Sequence, residues 1–128
     1  MRLMKYMTNA YFADTYALIE LLGGNQNYKP YLDCILITSR FNLVELYYYL
    51  LKDHGKKIAD KYLEIYSKIV VPITLTSIKR GMDFKLKRKK SKLSYADCVG
   101  YAIALEFGIK FLTGDNKFER LSNVEFVK

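Results

Sequence analysis

Four acidic residues stand where the local sequence changes character. Asp14 follows an aromatic, β-favouring run over residues 8–13 and opens a helical stretch. Glu45 sits early in a helical run among Leu43, Val44, Leu46 and Tyr47. Asp97 lies near the start of the apolar run 93–105, three residues after Ser94, and Asp115 follows the apolar run 109–113. Carboxylates gathered in one place repel one another and keep protons unless a cation neutralises them. Hard oxygen ligands select Mg2+ or Mn2+. One or two such ions can polarise a phosphodiester, activate water and hold the leaving oxygen. Metal-assisted cleavage of a phosphodiester is therefore the chemistry these four residues would perform together.

Each acid also has a local explanation. Asp14 suits a helix N-cap, where its oxygens accept orphan N–H groups. Asn42-x-x-Glu45 and Ser94-x-x-Asp97 both resemble capping boxes. Asp115 can cap a short turn over residues 116–118. The reading of Glu45 as a mere cap is weakened by its apolar neighbours, because a carboxylate there must be paired or functional.

The elements that must position these acids follow from hydrophobic pattern. Strands are expected at 8–13, 35–38, 70–74, 109–113 and 124–127, with Pro72 placing the third at an edge because proline cannot donate to a ladder. Glu125 is expected to face outward. Helices are expected at 15–22, 41–51, 57–69, 76–89 and 94–107, closed in two cases by Gly23-Gly24-Asn25 and Gly108. Strands alternating with helices imply a parallel sheet covered on both faces. Asp14 and Asp115 then lie at strand ends, and Glu45 and Asp97 at helix starts, which meet along the sheet edge where open α/β folds bind ligands.

The totals agree with a folded chain of this kind. The 128 residues are the size of one domain, spanning 1–128, and 51% hydrophobic against 27% charged is a globular profile. The chain carries 21 Lys and Arg against 13 Asp and Glu, net +8, which favours a polyanionic partner. Cys34 and Cys98 are the only cysteines, with no CxxC spacing, so zinc and disulfide scaffolds are disfavoured. Two sparse thiols fit a reducing cytoplasm. Met1-Arg2-Leu3-Met4-Lys5 does not introduce a leader, and no apolar run approaches a membrane span.

The stretches Phe12-Ala13-Asp14-Thr15-Tyr16-Ala17-Leu18-Ile19, Asn42-Leu43-Val44-Glu45-Leu46, Leu93-Ser94-Tyr95-Ala96-Asp97 and Leu112-Thr113-Gly114-Asp115-Asn116-Lys117-Phe118 resemble the PIN domain. The length is similar to that of VapC-type toxins of toxin–antitoxin pairs. The resemblance spans nearly the whole chain and presents four acids in the family's order. It implies a three-layer α/β/α sandwich around a parallel five-stranded sheet of order 3-2-1-4-5. It also implies a Mg2+- or Mn2+-dependent endoribonuclease with Asp14, Glu45, Asp97 and Asp115 around the metal, a homodimer, and an antitoxin that blocks the site. Thr15 and Thr113 match hydroxyl positions near the family's site, although local turn bonding accounts for them equally. Many relatives carry a further acid where this chain has Asn116-Lys117, which puts a second metal in doubt.

Other residues suit supporting roles. Lys85, Lys87, Arg88, Lys89, Lys90 and Lys92 form the densest basic tract. They suit either contact with an RNA backbone or a solvated helix end. His54, the only histidine, suits a helix terminus, and Cys98 a small core residue. Asp14-Thr15-Tyr16 lacks the second acid of haloacid-dehalogenase-like phosphatases, and no GxGxxG or GxxxxGK[ST] loop is present. The alternative from another class is a catalytically silent PIN-like module that binds RNA or protein.

Overall fold

A computed structural model describes residues 9–128. Residues 1–8, which include the start of the expected first strand and the Met1–Lys5 stretch, lie outside the described residues. The sheet contains β1 (Ala10–Ala13), β2 (Ile35–Ile37), β3 (Lys110–Thr113) and β4 (Val124–Phe126), in the order β2-β1-β3-β4. All three pairings are parallel, and Phe12 at the centre pairs with Ile37 on one side and Phe111 on the other.

Strand alternation divides the core. Phe12, Ile37 and Phe111 face α4 (Leu75–Lys87) and α5 (Tyr95–Phe107), packing on Val99, Ile103 and Met82. Ala13 and Leu112 face α1 (Thr15–Leu22), α2 (Arg40–His54) and α3 (Lys56–Ser67), packing on Leu18, Leu46, Leu50 and Ala59. The expected three layers are thus present. The Phe12 and Phe111 rings stack with centroids 5.6 Å apart, and both are fully buried. Truncating such a ring to alanine costs about 3–5 kcal/mol.

A close helix–sheet approach permits that stack. Gly100 lies over it in α5, and a Cβ there would stand 2.7 Å from the Phe12 ring. From Ala96 to Ala104 every residue of α5 except Asp97 is buried. Gly108 then ends the helix with a left-handed φ of 69°. The buried helix delivers its first turn to the same sheet edge as the ends of β1 and β3.

The expected third strand is corrected by the structure. Instead of pairing over 70–74, the chain makes a single parallel bridge between Thr38 and Val70. The Val71 N–H donates to the Thr38 carbonyl at 2.9 Å. Ser39 already caps α2 on one side of the bridge and Thr74 caps α4 on the other, so neither segment stays extended to continue the ladder. Among the described residues the sheet therefore has four strands, in the remaining order of those expected. Glu125, expected to face outward, is half-buried, and its carboxylate accepts a 2.6 Å bond from the Tyr31 hydroxyl. Residues Gln26–Asp33 form a 3-10 segment that the hydrophobic pattern did not indicate.

Candidate metal centre

Asp14 is the most deeply placed acid. Its backbone N–H still bonds across the sheet to the Leu112 carbonyl, while its side chain caps α1 by accepting the Ala17 N–H at 2.8 Å. The residue is 3% exposed. Burial raises its pKa from 3.8 to about 7; the Thr113 hydroxyl and the Ala17 N–H pull it down, and the charges of Asp97 and Asp115 push it up.

Asp97 sits at the third position of α5. It forms a reciprocal capping box: Oδ2 accepts the Ser94 N–H at 2.9 Å, and the Asp97 N–H donates to the Ser94 hydroxyl at 3.0 Å. Burial raises its pKa, the Ser94 bonds lower it, Asp115 raises it and Lys117 lowers it. Asp115 caps the 3-10 turn Asn116–Phe118 by accepting the Lys117 N–H at 3.0 Å, and its own N–H donates to Thr113 Oγ1. The turn through Gly114 is so tight that a Cβ would overlap the Tyr16 ring and the Val127 carbonyl.

Glu45 departs from the capping-box reading. The N-cap of α2 is Ser39, and Asn42 is the residue whose N–H it receives. Glu45 Oε1 instead accepts a 2.6 Å bond from the Thr15 hydroxyl of α1. Burial raises its pKa, Thr15 lowers it, Asp97 raises it and Lys117 lowers it. Asp97 is thus the common member of the group. Asp14 and Glu45 both feel its charge, and it feels that of Asp115.

The fit of this group to a hard cation rests on the donor set. Four oxygen-donor side chains act on one another electrostatically. The two ion pairs among the described residues, Lys56–Asp60 and Lys87–Asp83, involve none of them. One oxygen of each acid is held by a cap, turn or hydroxyl bond. In these side-chain orientations no three His, Cys, Asp or Glu side chains among the described residues close around one ion. Like charge keeps unscreened carboxylates apart, and rotation about the side-chain bonds is the adjustment a cation would demand.

The basic tract divides in two. Lys85 donates to the Leu93 carbonyl and lies 5.0 Å from the Tyr95 ring centroid. Arg88 rests 4.4 Å over the Phe84 ring, and Lys87 pairs with Asp83 at 3.0 Å. Lys89, Lys90 and Lys92 are exposed around the 3-10 turn Lys89–Ser91, with Lys92 at φ 56°. His54 is exposed at the end of α2, and Cys98 is fully buried with its thiol pushed up to about 11 by burial.

Sequence reasoning missed two contributors. Asn42 is buried inside α2, and the sequence showed it only as the start of an apparent capping box with Glu45, not as a partner of Thr15. Lys117 stood out in the sequence only as a departure from the family's acid, yet its charge reaches both Glu45 and Asp97.

The PIN domain family matches residues 11–124. No curated protein matches the chain. Among solved structures, the chain is similar to the sarcin–ricin-loop-cleaving toxin VapC20 of Mycobacterium tuberculosis, with TM-score 0.76 and 18% identity over 92% of this chain and 99% of that one. It is similar to VapBC2 of Rickettsia felis, solved bound to a DNA fragment from its promoter, with TM-score 0.72 and 17% identity over 93% and 99%. A toxin–antitoxin complex from Klebsiella pneumoniae gives TM-score 0.69 and 19% identity over 90% and 95%.

Proposed function

Because the chain belongs to the PIN domain family, we propose that it is a divalent-metal-dependent endoribonuclease and the toxin of a toxin–antitoxin pair. The observation that carries this reading is the electrostatic linkage of Asp14, Glu45 and Asp115 through Asp97, which neither ion pair among the described residues relieves. These four side chains would hold Mg2+ or Mn2+. When bound, the ion supplies positive charge that polarises the phosphodiester and makes water a better nucleophile.

The chain's own groups have separate tasks. Thr15 fixes one oxygen of Glu45, and Ser94 fixes one oxygen of Asp97. Thr113 takes the Asp115 N–H at 3.0 Å and steadies the turn between β3 and that acid. Lys117 brings a positive charge whose influence reaches Glu45 and Asp97. Lys89, Lys90 and Lys92 are the exposed cations that would meet an RNA backbone. Lys85, Lys87 and Arg88 also lie in that tract but have internal contacts.

Partner readings rest on the similar toxin–antitoxin complexes and on an exposed surface. Arg40, Leu43, Val44, Tyr47, Tyr48 and Leu51 of α2 line an open apolar groove with Leu63 of α3. Such a surface is available to an antitoxin or to a second copy in a homodimer. Among the described residues no helix is long and apolar enough to cross a membrane, and a cytoplasmic site of action is part of the proposal.

The test is cleavage of a structured RNA under a Mg2+ or Mn2+ titration, comparing the parent with Asp97→Asn. Asparagine preserves an acceptor for the Ser94 N–H while removing the charge. Metal-dependent cleavage by the parent, lost in Asp97→Asn, is the expected result. Equal RNA binding by both with no cleavage by either would identify a silent binding module instead.

A further inference from the structure

A polar chain runs through the interior beside Glu45. Ser39 Oγ lies 2.6 Å from Asn42 Oδ1, Asn42 Nδ2 lies 3.2 Å from Thr15 Oγ1, and Thr15 Oγ1 lies 2.6 Å from Glu45 Oε1. Ser39 is fully buried and Asn42 is 1% exposed. Burying these groups costs free energy that hydrogen bonding only offsets. The cap role of Ser39 explains Ser39 but not Asn42, whose side chain leaves its own helix to reach the first residue of α1.

The direction of the chain follows from its last member. A carboxylate only accepts, so the Thr15 hydroxyl proton points at Glu45. A hydroxyl has one proton, so Thr15 can receive only a donor from Asn42, which places the Asn42 amide nitrogen toward Thr15. The Asn42 carbonyl oxygen then faces Ser39 and accepts its proton. Each bond fixes the next, and asparagine is the side chain that carries a donor at one end and an acceptor at the other.

We infer that Asn42 is a positioning residue: with Ser39 behind it, it locks the Thr15 hydroxyl into donating to Glu45 and so anchors that carboxylate by one oxygen, leaving the other to a cation. Glutamate has three rotatable side-chain bonds, and the lock removes much of that freedom before any cation arrives. Oε1 is engaged and Oε2 remains for another partner. The inference rests on the proposed reading of Glu45 as a metal ligand.

The experiment measures Mn2+ affinity by calorimetry, RNA-cleavage kcat and KM, and thermal unfolding without metal. The proteins are the parent, Thr15→Val, Asn42→Leu, their double variant and Ser39→Gly. Losing a hydrogen-bonding partner of a metal ligand typically weakens metal binding or activity by about 10–100-fold. Thr15→Val and Asn42→Leu are each expected to lose Mn2+ affinity and kcat in that range, with KM unchanged. The double variant should be no worse than Thr15→Val, because both act through one bond. Ser39→Gly should lose less, and glycine is a tolerated N-cap, so this variant remains informative if Asn42→Leu fails to fold. Lower melting temperatures with parental Mn2+ affinity and kcat in Asn42→Leu, or in Ser39→Gly where only it folds, would overturn the positioning role alone. A parent that neither binds Mn2+ nor cleaves RNA would overturn it together with the function on which it rests.

Discussion

At the acidic edge of the sheet, charge is buried; in the basic segment between α4 and α5, it is exposed or laid on an aromatic ring. Asp14, Glu45 and Asp97 all have pKa values pushed upward by burial, and neighbouring acids push further. Arg88 covers Phe84, Lys85 ties down the Leu93 carbonyl, and Lys89 and Lys90 stand in solvent. The first region stores unfavourable electrostatics that a cation can relieve. The second holds several cations on one short segment at little cost to folding. A nuclease needs both kinds of region: one must change when the metal arrives, while the other need only be present.

The largest test of this contrast is Asp14→Asn, which should separate activity from stability. Cleavage is expected to fall on the order of a thousandfold, or about 4 kcal/mol in the barrier, read by single-turnover kinetics. Metal-free stability should move the other way. The folded pKa of about 7 lies above the ordinary 3.8, so the folded chain holds this proton more tightly than the unfolded chain. The favourable contribution is fully present below pH 4 and is lost as pH rises through 7. At roughly 1.4 kcal/mol per unit, the ionised carboxylate costs the metal-free fold about 4 kcal/mol at pH 8. Urea unfolding should therefore show Asp14→Asn stabilised at pH 8 and little changed at pH 4. An equal effect at both pH values would remove the claim that this edge stores strain in its charges.

A smaller effect is expected where the acidic edge depends on shape. Gly114→Ala forces a methyl group against the Tyr16 ring and the Val127 carbonyl, and overpacking of this kind costs about 1–3 kcal/mol. The denaturation midpoint should fall, and Mn2+ affinity should fall with it because the turn carries Asp115. A midpoint unchanged from the parent would show that the turn has room to relax.

The basic segment should respond weakly and in a different measurement. Replacing Lys89, Lys90 and Lys92 with serine should leave the melting temperature near the parent's and weaken RNA binding. It should also reduce the salt slope of that binding by about 0.7 for each single-strand phosphate no longer neutralised. Lys87→Met, which removes only an exposed pair with Asp83, is expected to change stability least, since exposed pairs contribute little. A large drop in melting temperature in the triple variant would erase the distinction between the two regions.

Much of the acidic edge was legible because its signals are local. Ser94-x-x-Asp97 is a three-residue spacing, and the structure realises it as a reciprocal capping box. Asp14 was readable as a helix N-cap, and its side chain caps α1. The aromatic run over 8–13 and the apolar run over 109–113 located the central strands. The sequence pattern failed at the expected third strand, where the caps Ser39 and Thr74 turn both segments into helices after a single bridge. It failed too where bonds join distant segments. Thr15 and Glu45 are 30 positions apart, and Asn42 and Thr15 are 27 apart. No helical or strand period connects them, so Asn42 was visible only as part of an apparent cap. Lys85 illustrates the opposite error of scale, since a run of cations does not reveal which one turns back to a backbone carbonyl.

The pairing of Phe12 with Phe111 has a consequence in time. The two central strands are made 99 positions apart. At about 5–20 residues per second, Asp14 waits roughly 5–20 s for the strand that will lie beside it. Glu45 is synthesised during the first part of that interval, and Asp115 only after it. A growing chain therefore carries at most half of the acid set until residue 97 is added, and the complete set only once residue 115 has been made.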